Sequence, residues 1–408
     1  GVSPFDVPAG LPVVVGLALL VAMLVRSVWW RLARRRHPVA VARSVTGVAH
    51  DVAALIGLMA CLTAANHLPP PRFLVPQSTQ VNYLGYEMAV PATMERLVSL
   101  GRPNLLWVLL SCSALGLYLW GMVRVRRGGG HWPVPRLLFW LGGWGLMLYL
   151  AVSGLWMYST AVFSWHMLVH MTVNMLVPVL CVLGAPFGLV DAAARRRTAQ
   201  ELPGPREMLA GLAENRFVRV LLSPPLLWLN YIASLFLVYF TPLFPWLMKY
   251  HWAHQLMLLH FMVAGFAFFG LLVGPERHAW QLPHIVKFAI LLSVMPFHAI
   301  FAVGIMMART LIGADYYQTL AVTWVGDLMN DQNIAGQITW FTGEIPAFIA
   351  VIVLAAQWFR SDSADAAQAD LLADAGADGE YDAYNEMLAQ LAERDRLNQG
   401  GPGERGTR

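Results

Sequence analysis

Charge is what this 408-residue chain has least of. Asp, Glu, Lys and Arg make up 13 % of it against 57 % hydrophobic residues, and its mean hydropathy is +0.54. An ordinary soluble domain is about one quarter charged. Composition therefore overrules the two or three soluble domains that length alone would allow. Cysteine is also scarce. Cys61, Cys112 and Cys181 lie in separate apolar segments with no CxxC pair, which excludes a disulfide framework and leaves small buried thiols as the plain reading. The chain starts at Gly1 with neither a methionine nor the basic, apolar and small-residue order of a signal peptide. The expectation is a processed or truncated product with something missing upstream. No internal repeat is evident.

Long apolar runs are what the chain does have. A membrane span needs about 20 apolar residues, and nine such stretches lie near 11–29, 46–66, 104–123, 137–158, 164–185, 219–240, 251–273, 286–310 and 335–358. The fold class expected is all-α, a polytopic membrane helix bundle of about nine transmembrane helices. Arginine alternates between the loops. Arg26, Arg31, Arg34, Arg35, Arg36 and Arg43 follow the first span; Arg124, Arg126, Arg127 and Arg136 follow the third; Arg195, Arg196, Arg197, Arg206 and Arg216 follow the fifth. The stretch 311–334 carries Asp315, Asp327 and Asp331 instead. The excess of positive charge on cytoplasmic loops then puts the N-terminus outside and the C-terminus in the cytoplasm, in a bacterial cytoplasmic membrane. It also accounts for the net charge of +4, so nothing points to nucleic acid. After Arg360 the chain turns rich in Ala, Asp, Glu and Gly. Residues 361–408 read as an acidic cytoplasmic tail, largely disordered, with room for a short amphipathic helix over Tyr384–Glu393.

Ionisable side chains at membrane depth are costly and usually face the protein interior. The fifth span opens with Ser164, His166 and His170, four residues apart and so on one face, which Asn174 continues; Met167, Met171 and Met175 form the adjoining stripe. The seventh span places His251 at the interface, His254 a turn in, and His260 roughly 13 Å deep, with Met257 beside them. His298 lies near the middle of the eighth span, two residues after Pro296, where the missing backbone donor predicts a kink. The ninth span carries Glu344 and then Pro346. A carboxylate there needs neutralising or pairing, with His260, His298 or a bound cation as candidate partners. His and Met together suit a soft metal such as Cu(I). Duller explanations stand beside this one: methionine fills core gaps, and a membrane histidine often hydrogen-bonds between helices. His37, His50, His67 and His131 at span ends, and His278 and His284 in a cytoplasmic loop, read as ordinary.

The stretch Ser164–Pro178, running on to Leu183-Gly-Ala-Pro186, resembles the CtaG family of cytochrome c oxidase assembly factors. Met295-Pro296-Phe-His298-Ala resembles that family's penultimate helix, and Asp331–Pro346 its last-helix signature. Tyr381–Asp395 looks like the tail of some actinobacterial members. The resemblance covers residues 75–360 as a seven-helix membrane domain. It leaves residues 1–74 as two further helices, which could be the end of a CopD-like domain in a fusion. What it implies is a part in assembling copper-containing haem–copper oxidases at the stage of copper delivery. Terminal oxidase subunits, other copper chaperones and the lipid bilayer would then be partners. His166, His170, His254, His260, His298 and Glu344 become the leading metal-pathway positions; Met167, Met171 and Met257 are added to the candidate metal site from the residue pattern itself.

The reading that follows is a non-enzymatic membrane assembly factor that holds copper at an extracytoplasmic-facing His/Met site. Three alternatives stay open: an electron carrier holding haem through axial ligands such as His170 and His260, a copper transporter, and a metal-free scaffold.

Overall fold

The computed structural model describes residues 57, 78–195, 204–276, 280–374 and 379–399. Their regular secondary structure is helical, and the only β contact among them is one isolated bridge, Leu100 to Ser153. The chain divides into two units, Gly1–Ala350 and Val351–Arg408.

Two short helices, α1 (Thr79–Leu84) and α2 (Met94–Val98), precede α3 (Leu105–Arg127) and α4 (Val134–Val152). Asn104 caps α3 by accepting from the Trp107 amide at 3.3 Å, and Arg124, Arg126 and Arg127 fill its last turn, where cations complement the helix dipole. The turn into α5 (Gly154–Ser159) is pressed against the α2 segment. A Cβ on Gly154 would lie 1.9 Å from the Arg96 carbonyl oxygen, so only glycine fits that approach.

The next span is one long helix in three parts: α6 (Phe163–Met171), a π-helical stretch over Thr172–Leu176, and α7 (Val177–Leu183), with α8 (Pro186–Ala193) following. Pro178 explains the widening, because it cannot donate to the carbonyl of Asn174 and the helix relaxes into a wider turn there. Gly265 of α13 (His251–Val273) packs against that freed carbonyl, since a Cβ on it would sit 1.9 Å from the Asn174 oxygen. α6–α8 and α13 form the centre of the bundle. They bury 67 % and 61 % of their apolar windows, against 28 to 33 % for the other spans.

Between these two lie α9 (Pro205–Glu214), α10 (Arg216–Leu221), α11 (Pro224–Tyr239) and α12 (Leu243–Lys249). α12 is bent 76° from α11 at Thr241-Pro242. The Thr241 hydroxyl donates to the Leu237 carbonyl and accepts from the Leu243 amide there. α14 (His284–Met307) continues through Pro296 as one element, and α15 (Ala314–Leu320) follows it. α16 (Leu328–Asp374) packs on α14 through Gly336 and Gly343: a Cβ on Gly336 would lie 2.4 Å from Met306, and one on Gly343 2.1 Å from the His298 ring.

Six helices are long and apolar enough to cross a membrane, or seven if the bent α11–α12 pair is one span. The chain is a multi-pass membrane protein. All seven spans expected after residue 100 fall on these helices; the two at 11–29 and 46–66, and most of the 1–74 segment, lie outside the described residues. The last span begins at Leu328, seven residues earlier than expected, because its first turns pack on the bundle although their sequence is polar. The tail also differs from expectation, since α16 extends to Asp374 and α17 covers Gly379–Gln399. Its alanines and alternating charges favour helix even with exposed side chains.

Each end of the bundle is tied by hydrogen bonds. At one end Trp324 donates to the Met88 carbonyl at 2.7 Å, Tyr316 to the Thr160 carbonyl at 2.8 Å and Tyr86 to the Met157 carbonyl at 3.0 Å. This capped end holds α1, α2, α5, α12 and α15. At the other end Trp132 donates to Tyr118, which donates to the Gly184 carbonyl. Glu276 accepts from the Gly188 amide in the first turn of α8; burial raises its pKa, and that hydrogen bond opposes the rise.

Candidate metal centre

Three histidines from two central helices meet just inside the capped end. His166 and His170 stand one turn apart on α6 with their rings stacked at 3.9 Å. His254 comes from the first turn of α13 and stacks with both, its ring centroid 5.4 Å from His166 and 5.2 Å from His170. The three side chains are 0 %, 1 % and 6 % exposed. One ring nitrogen from each lies within 4.8 Å of the other two. The closest pair, His170 Nε2 and His254 Nε2, is 3.0 Å apart. Two metal–nitrogen bonds of ~2.0 Å at a tetrahedral angle place their nitrogens ~3.3 Å apart, so this pair needs to part by only a few tenths of an ångström to share an ion.

The fold around the rings explains why they meet. Trp107 of α3 donates to Gln255 Oε1 at 2.8 Å and so fixes the turn that carries His254. Trp156 of α5 stacks on the outer side of His254. Phe163 and Phe244 pack on His166, and Phe261 on His170. Phe244 gets there because the bend after α11 lays α12 across the site. His166 Nε2 is 3.1 Å from the Tyr239 hydroxyl. His170 Nδ1 has no partner, while its Nε2 meets His254 Nε2, so one of these two rings carries its proton at that contact and would move it to Nδ1 before both nitrogens bind an ion.

No carboxylate joins the cluster among the described residues. Asp331 at the start of α16 lies outside it, its Oδ2 accepting from the amides of Phe163 at 2.9 Å and Ser164 at 3.3 Å. It caps α6 and offsets the positive end of that helix's dipole, one turn from His166. The donor set is therefore neutral imidazole inside an aromatic and aliphatic wall. Met167, Met171 and Met257 are buried in the same core with Tyr239, Phe244 and Phe261.

The other expected positions do not join this group. His298 is buried with its Nε2 unpartnered, deeper in the bundle and against Gly343. His260 is exposed on the outer surface of α13, edge-on to Phe261. Glu344 is exposed on α16. Cys181 packs against Gly143 in a separate apolar cluster, Cys112 is exposed, and Cys61 lies outside the described residues.

A family profile described as the cytochrome c oxidase caa3 assembly factor, CtaG, matches residues 116–361. The chain belongs to the CtaG family. The match takes in all three cluster histidines, Tyr239, Asp331, and the deeper His298 and Glu344. An uncharacterised protein of Mycobacterium leprae is 38 % identical over 325 residues, which are 79 % of this chain and 49 % of that protein. Uncharacterised proteins of Mycobacterium bovis and Mycobacterium tuberculosis are each 35 % identical over 383 residues, 92 % of this chain and 58 % of theirs. This CtaG chain thus spans about half the length of the curated relatives it matches. No solved structure matches it.

Sequence reasoning missed Tyr239, Trp156, Gln255 and the capping role of Asp331. Only Asp331 left a signal, as an acid three residues into a helix that otherwise crosses a membrane. The others depend on which helices are neighbours.

Proposed function

We propose that this CtaG chain holds copper as Cu(I) at His166, His170 and His254, on the extracytoplasmic side of a bacterial cytoplasmic membrane, and hands it to a cytochrome c oxidase during assembly. The supporting observation is the convergence of three buried imidazoles from two helices on one point without a carboxylate. A buried cation is costly in proportion to its uncompensated charge, so neutral donors suit a singly charged ion. Imidazole and thioether are ligands that Cu(I) accepts, and Met167, Met171 and Met257 lie in the same core. The orientation rests on arginine: Arg124, Arg126 and Arg127 close α3 at the end away from the cluster. The family supports oxidase subunits as recipients, and other copper chaperones would be the donors. The role needs ligand exchange and no catalysis.

The haem alternative gains nothing from the geometry, since His170 is buried and His260 faces outward. A transporter would need a ligand path through the bundle, for which His298, buried with Nε2 unpartnered, and the buried Cys181 are the deeper candidates among the described residues. The test is metal analysis of detergent-purified protein loaded with Cu(I) under anaerobic conditions and washed with a weak chelator, with an optical spectrum of the same sample. Copper near one per chain without a Soret band is the expected result. A Soret band would favour the electron carrier, and absence of retained copper would favour a scaffold.

A further inference from the structure

At the capped end a cavity of about 440 Å³ opens beside the histidine cluster. Of the three clustered histidines only His254 lines it; His166 and His170 lie behind. Two further side chains on its wall carry soft or borderline ligand atoms, His251 and Met248. No carboxylate lines it. His251 is exposed and stands three residues before His254 on α13, so the two share a helix face with Cβ atoms about 5–6 Å apart. Met248 is buried in α12, the element that the 76° bend folds over the cluster.

The remaining wall is mostly apolar, with Leu84, Leu105 and Leu106 in it, and two of its phenols and its guanidinium are occupied. Tyr86 donates to the Met157 carbonyl and is 2.9 Å from the Thr160 hydroxyl, and Tyr316 donates to the Thr160 carbonyl. Burial raises the pKa of both phenols, so they stay neutral. Arg102 donates to the Gly85 carbonyl at 2.7 Å and lies over the Tyr86 ring at 5.2 Å. Its pinned positive charge makes the cavity a poor place for a cation to rest, unless a ligand atom takes it up.

We propose that this cavity is the passage to the histidine cluster and that His251, with Met248, forms a transfer site where Cu(I) is taken from a soft donor and passed to His254. The inference rests on the reading of the cluster as a copper site and adds its route. Each step is a ligand exchange. A bond from the donor to copper breaks as one to His251 or Met248 forms, and that bond breaks as His254 binds; no electron moves, and the imidazoles stay neutral. The pinned guanidinium keeps residence at the transfer site short, while the cluster behind it is dry and holds three rings ready.

The experiment is stopped-flow transfer of Cu(I) from a chromogenic bis-chelate complex to purified full-length protein. Wild type is compared with His251→Ala and Met248→Leu, and final copper content is measured by elemental analysis. The expected result is loading slowed at least tenfold in His251→Ala and several-fold in Met248→Leu, with both ending at the wild-type copper content. Loading of His251→Ala at the wild-type rate would overturn the transfer site and leave the copper cluster standing. A lower final content in that variant would also overturn it, because His251 would then be a permanent ligand. Wild type that takes up no copper would remove the cluster reading and the passage together. Should His251→Ala fail to fold, Met248→Leu and His251→Gln carry the same comparison.

Discussion

The capped layer of the bundle and the layer beneath it hold the same kinds of residue and treat them differently. His166, His170 and His254 come together within 4.8 Å, with aromatic rings packed on His166 and His170 and His254 on the wall of the cavity. His260, His298 and Glu344 lie one to two turns deeper and scatter: one ring buried against a glycine, one on the outer surface, one carboxylate exposed on the last span. Depth in a membrane is thus not enough to make a site. Shared depth becomes shared space only between helices that face one another, and α6 and α13 do so because Gly265 lets α13 approach the Asn174 carbonyl.

The largest expected effect breaks the comparison at its root. Replacing His166, His170 and His254 together by alanine should lower retained copper from about one per chain to near none while membrane insertion stays intact; unchanged copper in the triple variant would move the site elsewhere. Two glycine substitutions come next. Gly265→Ala drives a methyl group into the Asn174 carbonyl and should destabilise the bundle by about 2–3 kcal/mol or more, as overpacking does, with copper retention falling alongside thermal stability. Gly343→Ala strikes the His298 ring instead. It should lower stability and leave copper content per folded chain unchanged, and a selective loss of copper there would bring His298 into the site.

A smaller effect has the opposite sign. The Tyr239 hydroxyl is 3.1 Å from His166 Nε2 and would compete with an ion bound through that nitrogen. Tyr239→Phe should tighten copper binding several-fold in a competitive chelator titration, on the scale of one hydrogen bond of about 1 kcal/mol. The smallest effect on copper is expected from Glu344→Gln. Binding should not change, while oxidase maturation falls more than protein abundance does. An equal fall in both would make Glu344 a structural residue.

The spans were legible because apolar length is a local property of the chain. Seven of the nine stretches coincide with helices, and the fourth of those seven hid a bend because Thr241-Pro242 sits inside an apolar run. The His166 and His170 pair was legible from spacing, and His254 from its depth. Their meeting was not, because it depends on which spans are neighbours. The outward turn of His260 shows the limit from the other side. Six residues past His254 on a helix is about 600° of rotation, which carries it well off the face of the cluster. Tyr239, Trp156 and the cap by Asp331 are contacts between segments far apart in the chain, and no window of sequence contains both partners.

The lack of a carboxylate near the three histidines carries a consequence for oxidation state. The electrostatic cost of enclosing an ion in a low-dielectric wall rises with the square of its charge, so loss of one electron by a bound Cu(I) would raise that cost about fourfold, and among the described residues no carboxylate sits in the cluster to offset it, Asp331 being held at the cap of α6. Oxidation would then act as an ejector.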